Sequence, residues 1–67
     1  MPKIIDELKL GECSLLKIDK MPDSPYNKVV IDGDEYGLVP SYDLGEYNIA
    51  VNSRKTLNNK DIGFIME

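Results

Sequence analysis

Histidine and tryptophan are absent from this chain, and cysteine occurs once, at position 13. Each absence removes a class of chemistry. Without histidine, no serine or cysteine nucleophile can be paired with an imidazole base. One cysteine cannot close an internal disulfide, and without histidine it is not a zinc site. Cys13 has an acid, Glu12, as its neighbour instead of the cation that a reactive thiolate needs. No apolar run approaches the ~20 residues that span a bilayer, so no membrane association is expected. Residues 1–7 carry Asp6 and Glu7, with no apolar core and no small-residue cleavage site, and do not read as a signal peptide. The unpaired thiol points to a reducing, cytoplasmic compartment. Internal repeats, low-complexity tracts and linkers are lacking as well.

Carboxylates are plentiful, but plenty is not a catalytic site. Asp32 and Asp34 sit at an exposed hairpin tip, where nothing desolvates them as a catalytic acid requires. The run Asp32-Gly33-Asp34-Glu35 has only the opening of a calcium-binding EF-hand loop and none of its later ligands. Neither common type of glycine-rich phosphate loop occurs. The expectation is a chain that is not an enzyme and uses no metal or cofactor.

What is present fits a small globular domain. The 67 residues are 42% hydrophobic and 30% charged, which suits one domain over 1–67. A chain of this length buries only roughly 60% of its unfolded surface. The fold must therefore rest on packing alone or on a partner subunit.

The clearest local signal is Asp32-Gly33 between two apolar runs, 27–31 and 34–39. Both central residues of a type I′ turn need positive φ, which this dipeptide tolerates. With a two-residue loop, Ile31 faces Asp34, Val29 faces Tyr36 and Asn27 faces Leu38. Val29, Ile31, Tyr36 and Leu38 then share one face. Lys28, Val30, Glu35 and Gly37 share the other, with Tyr26 opposite Val39. Period-two alternation predicts further strands over 12–19, 47–51 and 62–66. Ile4, Ile5 and Leu8 fall on one helical face before Gly11, so a short N-terminal helix over 4–10 is expected, with an extended lead-in as the alternative. Prolines at 22 and 25 make 20–25 a loop, and Leu57 reads as a core plug from a short 3₁₀ turn.

The fold class that follows is all-β: a small five-stranded antiparallel barrel or curled sheet. The layout resembles the SH3-like barrel, with a long irregular loop, a central hairpin and a short turn before the last strand. The segment nearest to that signalling family's aromatic motif, Pro40-Ser41-Tyr42-Asp43-Leu44, lies past mid-chain, and the groove tryptophan is missing. The resemblance is one of architecture, and architecture does not carry function.

Charge is uneven. The net charge is −4, from 12 acids and 8 bases. Residues 32–46 hold five acids and no base, and residues 51–60 hold three bases and no acid. The acidic balance disfavours general binding to phosphate backbones. The first expectation is a non-catalytic protein-interaction module or accessory protein, contacting a partner with a basic or apolar surface. Two candidate patches arise. Tyr26, Val30 and Val39 form an apolar face of the hairpin. Tyr42, Asp43 and Glu46, beside Pro40, form a tyrosine and acid shelf suited to a basic peptide. Pairing of an edge strand with a partner or a second copy, giving a homo-oligomer, is a third route. The alternatives are a nucleic-acid-associated small barrel using Arg54, Lys55 and Lys60, and an acidic inhibitor that mimics nucleic acid.

Overall fold

The Asp32-Gly33 turn forms as its chemistry dictates. In a computed structural model, which describes residues 2–40 and 43–66, Asp32 has φ 54° and Gly33 φ 85°. Positive φ at both positions is the type I′ geometry, whose twist matches that of the strands it joins. The turn links β3 (Lys28–Ile31) to β4 (Asp34–Gly37), with Ile31 opposite Asp34 and Val29 opposite Tyr36. This is the register expected from the hydrophobic pattern. The third strand of this sheet is β6 (Ile62–Ile65), which lies on the other side of β3. Ile31 faces Ile62 there, and Val29 faces Phe64.

The expected N-terminal helix is instead a strand, β1 (Ile4–Leu10). A second tight turn, Gly11-Glu12, returns it to β2 (Cys13–Ile18), with Leu10 opposite Cys13. Gly11 has φ 64°, which fits the first central position of a type II′ hairpin turn. The helical reading failed for a specific reason. The ladder shifts between Ile4 and Asp6, so Ile5 is an inserted residue. A bulge of this kind moves every later side chain to the opposite face. Ile4 is therefore buried in the core while Leu8 points away from it, and a four-residue spacing that mimics one helical face is divided between two sheet faces. The sheet is completed by β5 (Ile49–Asn52), paired with β2, in the order β1-β2-β5.

The all-β, antiparallel class thus holds, but the five-stranded SH3-like barrel does not. Among the described residues, six strands form two three-stranded antiparallel sheets that do not close. Among the same residues, backbone pairing joins the two sheets at their corners. Leu38 bridges Val51, reinforced by the Val39 N–H donating to the Ala50 carbonyl (2.8 Å). Lys3 bridges Asp61, and the Ile62 N–H donates to the Pro2 carbonyl (3.1 Å).

The core lies between the inner faces. Ile4, Leu16, Ile18, Ile49 and Val51 come from the first sheet, and Val29, Ile31 and Ile62 from the second. Leu57 closes it from the loop after β5, as expected, although from a turn closed by Lys60 N–H to the Leu57 carbonyl (3.3 Å). At roughly 1.5–3 kcal/mol per buried aliphatic side chain, these nine residues supply most of the driving force available to so small a fold.

Candidate interaction surfaces

The acidic turn and the basic loop, far apart along the chain, meet in space. Lys55 Nζ lies 2.9 Å from Asp34 Oδ2, and Lys60 Nζ lies 3.5 Å from Asp32 Oδ2. Arg54 Nη2 lies 2.6 Å from Glu12 Oε1 on the β1–β2 turn. The hydrogen bond and the charge of Asp34 push the Lys55 ammonium pKa above its ordinary value. All three pairs are solvent-exposed, so they add little to stability. Their consequence is electrostatic: every cation of the 54–60 loop faces a carboxylate of its own chain.

The other acids are arranged differently. Asp43 Oδ1 accepts the Gly45 N–H at 3.0 Å, and the Tyr47 N–H donates to the Leu44 carbonyl at 2.9 Å, shaping a tight loop over 43–47. From its end the Tyr47 hydroxyl reaches Asp6 Oδ2 on β1 at 3.5 Å. Desolvation chiefly, then the charges of Asp6 and Glu46, raise the Tyr47 phenol pKa above its ordinary value. Asp6, Glu46 and Tyr47 therefore share one corner of the molecule, with Lys17 as the ladder partner of Asp6. Among the described residues, Asp43 and Glu46 are exposed and form no ion pair. Tyr42 lies outside the described residues.

The expected apolar patch of Tyr26, Val30 and Val39 is divided. Pairing of β3 with β4 stops at Lys28 opposite Gly37, after which the chain crosses to β5. Val39 thus sits at the seam between the sheets, bonded to Ala50, and does not oppose Tyr26. Tyr26 packs edge-on against Phe64, with centroids 4.8 Å apart and planes at 66°, and both rings lie against the core. Burial raises its phenol pKa too. Only Val30 lies in the outer face of the sheet, half-buried between Glu35 and Gly63.

Sequence reasoning missed Glu7 and Lys9. The Glu7 side chain is 6% exposed, and its two oxygens accept the Leu57 N–H at 3.2 and 3.1 Å. Lys9 Nζ lies 3.6 Å from Glu7 and donates to the carbonyls of Ser53 (3.1 Å) and Lys55. This clamp fastens the 53–57 loop to β1. Its only sequence signal was an acid and a base two positions apart, which an edge strand places on one face.

Among the described residues no three histidine, cysteine, aspartate or glutamate side chains converge as a metal site, and no helix is long and apolar enough to cross a membrane. Comparison with known proteins adds no assignment: no family model, curated protein or solved structure matches the chain.

Proposed function

We propose that this chain is a non-catalytic protein-interaction module that presents the acidic loop 43–47, with Asp6, to a basic segment of a partner protein. The observation that supports this reading is an asymmetry of pairing. Arg54, Lys55 and Lys60 are each engaged by a carboxylate of the same chain, whereas Asp43 and Glu46 keep their charges free among the described residues. Free carboxylates at an exposed turn steer a cationic partner and set its orientation. Two bonds within the loop, from the Gly45 N–H to Asp43 Oδ1 and from the Tyr47 N–H to the Leu44 carbonyl, and the Tyr47–Asp6 contact restrict it, which lowers the ordering entropy lost on binding. The same pairing weighs against the nucleic-acid reading, since phosphates would have to displace Glu12, Asp34 and Asp32. It weighs equally against a nucleic-acid mimic, since two of the hairpin carboxylates are already neutralised. The free thiol of Cys13 suits a reducing cytosol.

The test is charge reversal. The double variant Asp43→Lys/Glu46→Lys should lose about tenfold or more in affinity for a partner protein isolated by affinity capture and lose the salt dependence of binding. Arg54→Ala/Lys60→Ala should bind as the wild type does. Equal loss in both variants would sink the reading.

A further inference from the structure

The edge of the first sheet is unusually apolar. Of the four large hydrophobic side chains that are exposed among the described residues, three lie on β1: Ile5 (48%), Leu8 (41%) and Leu10 (54%). β1 is the terminal strand of its sheet. Past Ile4, which bonds to Asn59 and Lys60, no backbone hydrogen bond from a described residue reaches its outer side.

The direction of its backbone groups can be read from β2. The Leu16 and Glu12 carbonyls accept N–H groups from Asn48 (2.8 Å) and Ser53 (3.0 Å), and the Ile18 N–H donates to Asn48 Oδ1 (2.7 Å). Even-numbered residues of β2 thus turn toward β5, and odd-numbered ones toward β1. By register, Lys17, Leu15 and Cys13 occupy the backbone groups of Asp6, Leu8 and Leu10. Glu7 and Lys9 present theirs to the open edge. The Glu7 N–H is held for the present by Asp6 Oδ1 at 2.8 Å.

We propose that this edge pairs antiparallel with the same edge of a second copy, about a two-fold axis through Leu8. Antiparallel pairing with matched faces allows registers centred on Glu7, Leu8 or Lys9. Glu7 and Lys9 already pair within each chain, and centring on either residue sets it opposite its like-charged copy, which disfavours that register. Centring on Leu8 sets Glu7 opposite Lys9 of the second copy, twice. These are the residues whose N–H and C=O groups face outward, so each pair exchanges two hydrogen bonds. The Glu7 amide trades its Asp6 cap for a ladder bond. On the outer face Leu8 meets Leu8, and both lie beside the Leu15 of their own chain, giving one continuous apolar strip across a six-stranded sheet. The interface is isologous and closed, and it covers an edge that would otherwise invite uncontrolled pairing.

Sedimentation velocity over a concentration series, with cysteine cross-linking, tests this. The expected result is a reversible dimer of twice the 7.6 kDa chain mass. Leu8→Lys should be monomeric with an unchanged far-ultraviolet circular dichroism spectrum. In a Cys13→Ser background, Leu8→Cys should oxidise to a covalent dimer, because residues at a non-hydrogen-bonded two-fold position stand about 4.5 Å apart at Cα. Leu10→Cys in the same background should not, because its two copies stand roughly 14 Å apart along the strand. A wild-type monomer at every concentration, leaving the edge to a different chain, overturns the proposal. So does equal cross-linking of the two cysteine variants, which would mean random collision.

Discussion

Glu7 places both carboxylate oxygens on one backbone amide, that of Leu57, while its side chain is almost completely covered. The arrangement solves a specific problem. Leu57 must enter the core from a loop, and a loop offers its amide no ladder partner. A buried amide without an acceptor costs about 1–3 kcal/mol. Lys9 neutralises the carboxylate and ties down two further loop carbonyls. Glu7→Ala should therefore lower the unfolding free energy by about 1–3 kcal/mol in urea titration, and Glu7→Gln, which keeps an acceptor, by less. An equal loss in the two variants would assign the effect to charge rather than to the capped amide. At this scale the sequence was informative about hydrophobic residues and silent about Glu7. Leu57 announced itself as the one large apolar residue in a polar stretch. Glu7 is an acid among acids, and only the β1 register reveals that it faces inward.

The two hairpins show what makes an element legible. The β3–β4 turn carries its own instruction, because few dipeptides other than Asp-Gly accept positive φ twice, and the flanking apolar residues match in only one register. Gly33→Ala should cost about 1 kcal/mol, since φ 85° is strained for any residue with a Cβ. Open space around the position means that no clash adds to it. Thermal unfolding followed by circular dichroism measures the loss; an unchanged midpoint would contradict the type I′ assignment. The β1–β2 hairpin was hidden by the bulge at Ile5, which broke period-two alternation and left a helix-like spacing in its place. The single face expected for Tyr26, Val30 and Val39 is divided for a related reason. It assumed that β3 and β4 stay paired to the end, whereas β4 departs at Gly37 to meet β5. Alternation reports which side chains share a face only while the ladder continues.

At the scale of the whole molecule, the segregation of charge along the chain was legible, and its cancellation in space was not. The acids of the hairpin turn and the bases of the 54–60 loop looked like two opposite surfaces. Folding brings β3, β4 and β6 into one sheet and sets Asp32 and Asp34 against Lys60 and Lys55. Among the described residues, the acids that form no ion pair include Asp43 and Glu46, in a chain of net charge −4. Those two unpaired charges carry the functional reading. The most direct measurement is affinity capture of the tagged protein from a cell lysate, with and without nuclease, alongside the Asp43→Lys/Glu46→Lys variant. The account predicts a defined protein partner that resists nuclease and is lost with the variant. Co-purifying nucleic acid, with protein lost on nuclease treatment and retained by the variant, would contradict it and move the binding surface to Arg54, Lys55 and Lys60.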